Sequence, residues 1–186
     1  VLIQIGAAVE CIHAYTLIHD DLPCMDNDDL RRGKPSTHKK FGESTAVLAG
    51  NSLLTLAFEI LTNKNLKISD SKKILIVKYI SNCSGHEGVA GGQYSDLNFE
   101  NKKISLSKIK DMQVKKTGRL FSFCCIAPLI VVNKNNLIKK FMKIGEDVGL
   151  LFQIADDLID YSGNSKIAGK KTKKDAAKGK ATLISL

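Results

Sequence analysis

The chain has 186 residues, 44% of them hydrophobic and 25% charged, with a formal net charge of +9. That length and balance suit one domain with a sizeable core, and only three prolines exclude a Pro-rich disordered chain. The basic excess is nearly all lysine, with arginine only at Arg31, Arg32 and Arg119, whereas nucleic-acid surfaces mix arginine with aromatics, so no nucleic-acid partner is expected.

Apolar residues recur at three- and four-residue spacing from Val1 to about Pro23, which predicts a helix. The opening residues lack an initiating Met and a basic start, so they read as the interior of a helix cut from a longer protein. No apolar run reaches the ~18 residues a membrane span needs, and none is expected. Asn27 to Gly42 is a polar turn broken by Gly33, Pro35 and Gly42. Glu43 to Leu61 is a second helix, whose Ala49-Gly50 pair suits close helix–helix approach.

Ser69-Asp70-Ser71 offers an N-cap for a helix expected to run to about Leu97. Gly85, Gly88, Gly91 and Gly92 are embedded in it, each costing up to ~1 kcal/mol in a helix, so close packing or a cavity wall is implied. After a loop at 98–103, Ser105 to about Val132 is helical with a kink at Pro128, and Leu137 to Tyr161 is the last clear helix. A Lys- and Gly-rich loop follows from Ser162 to Lys180. The whole is all-α, with no solenoid repeat and no domain break. Five cysteines without CxxC pairing or histidine at zinc spacing read as small buried residues of a reducing compartment, by default the cytoplasm.

Two aspartate groups carry the chemistry. The first is Asp20, Asp21 and Asp26, followed by Arg31-Arg32-Gly33; the second is Asp156, Asp157 and Asp160. On a helix the second trio sits at about 0°, 100° and 40°, one face. Three like charges there repel each other, and the helix C-terminal end makes this worse. Flanking Phe152, Ile154, Leu158 and Ile159 make that helix apolar, so the acids are expected to point into a cleft or core and to need a counter-ion. Asp20 and Asp26 lie about 240° apart on an ideal helix, so the first helix must bulge or end near Pro23 for both to reach one ion. Carboxylates of this number suit Mg²⁺, which completes its shell with water and phosphate oxygens.

Other residues fit a diphosphate. Arg31 and Arg32 can offer bidentate forks. Lys116-Thr117-Gly118 places a point charge and a hydroxyl on one helix face; Gly91-Gly92-Gln93 with Asp96 offers bare helix and two polar tips. Gln153, one turn before Asp157, can orient those carboxylates or a diphosphate.

The string from Glu10 through Asp20-Asp21-Leu22-Pro23, with Arg31-Arg32-Gly33, resembles bacterial short-chain trans-prenyl diphosphate synthases, the farnesyl-making branch most closely. His38, Phe41-Gly42-Glu43, Leu48-Ala49-Gly50, Gly91-Gly92-Gln93, Lys116-Thr117-Gly118, Phe152-Gln153 and the loop from Gly169-Lys170 to Lys180-Ala181-Thr182 continue the match through the chain. The resemblance implies a single-domain, all-α helical bundle of the isoprenoid synthase type with a central apolar cavity.

It also implies roles. Asp20, Asp21, Asp26, Asp156, Asp157 and Asp160 resemble ligands of two to three Mg²⁺ ions gripping an allylic diphosphate. Arg31, Lys116, Thr117, Gln153, Lys170 and Lys180 look like further contacts to it, with Lys171 as the alternative to Lys170. His13 and Arg32 look like contacts to isopentenyl diphosphate, and Gln93 and Asp96 like a polar wall. Tyr15, with Thr16, occupies the chain-length position, where a bulky ring favours a fifteen-carbon product; a twenty-carbon synthase and a non-catalytic diphosphate-binding subunit or fragment are the alternatives. The family implies isoprenoid diphosphates as substrates, ionisation without a protein nucleophile, and a homodimer. The lysine-heavy stretch from Lys170 to Asp175 departs from the family by lacking its usual internal glycine.

Overall fold

A computed structural model describes residues 1–162 and 179–183 of the chain. They form two compact units, Val1–Val77 and Lys78–Leu186, dividing inside one helix.

In the first unit α1 runs Leu2–Asp20 and buries Ile5, Ala8 and Ile12, the three- and four-residue spacing of one helical face. It stops three residues before Pro23, because proline disfavours helical geometry in the residue it follows. What reads as a plain turn contains a two-stranded hairpin, β1 Leu30–Arg31 and β2 Lys34–Pro35, paired Leu30↔Pro35 and Arg31↔Lys34. Its two-residue loop, Arg32-Gly33, takes φ of +53° and +76°, the left-handed pair that matches strand twist. These short strands are a small departure from an all-helical chain. A short α2, Thr37–Phe41, leads through Gly42 to α3, Glu43–Thr62.

Helices α1 and α3 pack together. A Cβ on Gly50 would lie 2.1 Å from His19 Nε2, so the glycine makes room for that ring. By length and composition alone, α1 and α3 are long and apolar enough to cross a membrane, with mean hydropathy 1.2 and 1.4, which by itself is weak evidence of a span. Mostly buried core helices of soluble proteins meet the same test, whereas only 17% and 22% of these two apolar windows are buried; α1 carries Glu10, His13, His19 and Asp20.

The helix expected from Asp70 to about Leu97 is two helices, α4 Asp70–Ser84 and α5 Val89–Phe99. Glycines break it: a Cβ on Gly88 would sit 1.9 Å from the Cys83 carbonyl oxygen, and one on Gly91 1.8 Å from that of His86. Gly92 alone serves interhelical packing, since its Cβ would meet the Lys116 backbone nitrogen at 2.2 Å.

The next helical stretch is continuous but not uniform: α6 Leu106–Gln113, a π-helical turn Val114–Gly118, then α7 Arg119–Val131 with Pro128 inside it. A 3₁₀ turn, Asn135–Leu137, precedes α8, Ile138–Ser162. Helix α8 approaches α7 and the π-turn backbone to backbone, because Cβ atoms on Gly145 and Gly149 would come within 2.4 Å of Ser122 Cα and 2.5 Å of Gly118 Cα. Phe123, Ile126 and Ile130 of α7, with Ile109 of α6, are fully buried and supply apolar core.

The cysteine expectation is corrected in part. Cys83 is buried, and burial pushes its thiol up to about 11, but Cys24 and Cys124 are exposed.

Candidate active site

The two aspartate groups lie in different units. In the first, the chain after α1 curls back on the helix end: Asp26 N–H donates to the Asp20 carbonyl at 2.9 Å, Asn27 to Leu22 at 3.0 Å and Asp28 to Asp21 at 3.2 Å. These bonds satisfy carbonyls that a helix C-terminus otherwise leaves open. By its backbone, Asp26 returns to Asp20 through a six-residue turn rather than by helical register.

Asp20 and the buried Asp21 thus sit at the negative end of a helix, where like charges need a cation. Arg31, carried on β1, supplies it. Its Nε donates to Asp21 Oδ1 at 3.0 Å and Oδ2 at 3.2 Å, and its Nη2 reaches Asp21 Oδ1 and Asp20 Oδ2. Burial works against the Arg31 charge, but the bond to Asp21 and the nearby carboxylates raise its pKa further. The arginine expected to face phosphate therefore lies on the aspartates, while Arg32 is exposed in the hairpin loop.

Along α1 the other expected residues are partly exposed. His13 Nδ1 lies 3.3 Å from Glu10 Oε2, and the Thr16 hydroxyl donates to the His13 carbonyl at 2.8 Å. Tyr15 packs edge-on against His19, with centroids 5.1 Å apart, and burial raises its hydroxyl pKa. His19 Nε2 donates to the Val47 carbonyl at 3.1 Å, which ties the residue before Asp20 to α3.

In the second unit Asp157 and Asp160 are buried and Asp156 is half-buried. The flanking pattern differs from expectation, because Phe152 and Leu158 are 57% and 52% exposed. The acids point in and these apolar neighbours point out, the reverse of ordinary helix burial.

Amides hold Asp157 in place. Gln153 Nε2 donates to Oδ1 at 2.8 Å and Gln113 Nε2 to Oδ2 at 3.0 Å, while the Thr117 hydroxyl donates to Gln153 Oε1 at 3.1 Å. Burial pushes the Asp157 carboxyl up; the two amide bonds oppose this, and the charges of Asp156 and Asp96 add to it. Gln113 was missed in the sequence, where a lone glutamine beside Lys115-Lys116 looks like surface. Its place one turn before Thr117 was the available signal. Its Oε1 is buried with no hydrogen-bond partner among the described residues.

Lys116 Nζ donates to Asp96 Oδ2 at 2.7 Å, and Lys180 Nζ to the same oxygen at 2.8 Å. Burial acts upwards on Asp96, but the two ammonium groups hold it below the usual carboxylate range. Gln93 sits half-buried one turn before Asp96. The π-turn explains the aim of Lys116 and Thr117. Its extra residue per turn widens the helix where Gly92 and Gly149 bring neighbouring backbones close, a distortion common at functional sites. Lys170 and its alternative Lys171 lie outside the described residues.

Among the described residues no three His, Cys, Asp or Glu side chains form a ready-made metal cage. The donor set is carboxylate oxygen, which is hard, and Mg²⁺ keeps waters and takes substrate phosphates rather than filling an all-protein shell. The residues present fit an ion of that kind completed by a diphosphate.

Residues 1–186 match the profile of the polyprenyl synthetase family. The chain is 42% identical over 186 residues to farnesyl diphosphate synthase of Bacillus subtilis, covering 99% of this chain and 63% of that protein. It is 44% identical over 184 residues to geranylgeranyl pyrophosphate synthase 4 of Arabidopsis thaliana, covering 97% of this chain and 49% of that one. A crystal structure of a Helicobacter pylori geranyltransferase, complexed with magnesium and isoprenyl diphosphate, superposes with TM-score 0.90 at 37% identity, covering 98% of this chain and 60% of that one. The chain therefore spans about three-fifths of the length of the bacterial relatives it matches.

Proposed function

The chain belongs to the polyprenyl synthetase family, and we propose that the protein joins isopentenyl diphosphate to dimethylallyl or geranyl diphosphate, making farnesyl diphosphate. The observation that carries this is the inward burial of Asp157 and Asp160 on α8, with a glutamine amide donated to each oxygen of Asp157. The Asp157 carboxylate, buried and held by two neutral amide donors, suits a cationic ligand.

Asp20, Asp21, Asp26, Asp156, Asp157 and Asp160 would hold two to three Mg²⁺ ions, as the sequence resemblance implies. When bound, the metal neutralises charge building on a departing diphosphate. Lys116, Thr117, Gln153 and Lys180, with Lys170, would bind that diphosphate and fix its orientation. Arg31 would trade a share of its bond to Asp21 for phosphate as the aspartates take up metal. The allylic carbon loses diphosphate, the double bond of isopentenyl diphosphate attacks it, and a proton then leaves; no protein nucleophile is required. His13 and Arg32 would bind the second diphosphate, and an apolar cavity would keep water from the cation. The homodimer and the cytoplasm complete the reading, on the resemblance and on the cysteine usage.

A twenty-carbon product is the second reading, favoured by the 44% identity to the Arabidopsis geranylgeranyl enzyme. To test the condensation, inorganic diphosphate release is measured with Mg²⁺ and either the allylic substrate alone or both substrates. Release that requires both supports the proposal; release from the allylic substrate alone, with an alcohol as the organic product, contradicts it.

A further inference from the structure

Asp96 deserves a role of its own, beyond lining a wall. It is 5% exposed, and one of its oxygens, Oδ2, receives both Lys116 Nζ at 2.7 Å and Lys180 Nζ at 2.8 Å. The two lysines come from distant parts of the chain, and separate backbone devices deliver each. Gly92, one turn before Asp96 on α5, admits the Lys116 backbone so closely that a Cβ would lie 2.2 Å from its nitrogen. Gly179, directly before Lys180, takes φ +63°, and its carbonyl accepts the Asn101 N–H at 2.8 Å. A Cβ on Gly179 would strike Asn101 Oδ1 at 2.0 Å. Two ammonium groups brought to one point repel each other, and the carboxylate between them offsets that repulsion.

We propose that Asp96 is a positioning residue that pins the Lys116 and Lys180 ammonium groups to a single point, so that both address the same phosphoryl group of the leaving diphosphate. The inference rests on the functional reading above and adds to it the residue through which two cations act together. Its consequence has a definite sign. Removing the carboxylate takes negative charge away from an anionic ligand, so ground-state binding does not weaken. What is lost is fixed placement, which counts in the transition state.

Steady-state kinetics of the protein with allylic diphosphate, isopentenyl diphosphate and Mg²⁺ test this, each variant normalised to its folded fraction by circular dichroism. Asp96→Asn should lower kcat at least tenfold while KM for the allylic substrate changes less than threefold, and Asp96→Glu should restore part of the loss. In a Lys180→Met background the further loss from Asp96→Asn should be smaller than in the wild-type background, because one of its two ammonium partners is already gone. A fall no larger than the loss of folded protein, or fully multiplicative losses in the double variant, overturns the inference. If Asp96→Asn does not fold, Gly179→Ala leaves Asp96 and Lys116 in place and draws Lys180 away; it should show the same kcat-selective loss, and wild-type kinetics there would overturn the inference. A wild-type protein that releases no diphosphate with Mg²⁺ contradicts the functional reading itself, whereas an active wild type matched by Asp96→Asn contradicts only the role of Asp96.

Discussion

Asp96 and Asp157 are both buried carboxylates, yet their environments set opposite pH dependences. Asp96 is held below the usual carboxylate range by two lysines, so it stabilises the fold above that range and ceases to as pH falls through its lowered value. Asp157 is pushed up by burial with only amide donors against it, so it favours the fold most in acid and less as pH rises through its raised value. Burial therefore disfavours the ionised form of Asp157 in the fold, and a bound cation would relieve this. Asp157→Asn should melt at or above the wild-type temperature without Mg²⁺, gain less than wild type from Mg²⁺ with diphosphate, and lose at least a hundredfold in kcat. A melting temperature several degrees lower without Mg²⁺ would contradict this. Tyr15 makes a second residue-scale case. Its ring packs on His19 beside the first aspartate group, and Tyr15→Ala is expected to lengthen the product beyond fifteen carbons; an unchanged product length would reduce Tyr15 to packing.

At the scale of elements, the chain's glycines sort by what a methyl group would meet. Gly145 and Gly149 of α8 face the backbone of the π-turn and α7, so Gly145→Ala forces a shift and should cost about 1–3 kcal/mol. Gly6 of α1 has nothing within 4 Å of its missing Cβ, so Gly6→Ala should stabilise by up to about 1 kcal/mol. Chemical denaturation of both variants checks the pair, and a destabilised Gly6→Ala with an unaffected Gly145→Ala would contradict the packing described. These elements also show what a sequence can disclose. The helices α1, α3 and α8 were legible because their apolar spacing and breakers are local properties. The break at Gly85–Gly88 was not, because glycine signals a close approach and a helix end with the same residue. Nor was the π-turn, since the extra residue at Val114–Gly118 answers to backbones supplied by Gly92 and Gly149, far away in sequence. Likewise the inward turn of Asp157 and Asp160 was expected from apolar flanks, two of which, Phe152 and Leu158, prove to be exposed.

Across the whole molecule, the net charge of +9 acts on small anions rather than on nucleic acid in this account. Lysine-rich surfaces attract diphosphates over a Debye length of roughly 10 Å at 0.1 M salt, so raising ionic strength should lower kcat/KM more than kcat. Equal falls in both would remove steering from the account. The two aspartate groups belong to separate compact units, and the family to which the chain belongs is what joins them in one proposed reaction. The most direct test is chromatography of the isoprenoid product formed by the protein from both five-carbon diphosphates with Mg²⁺. A fifteen-carbon diphosphate that vanishes when Mg²⁺ is chelated is the expected result; a twenty-carbon product, or prenyl alcohols without chain extension, would contradict the proposed function.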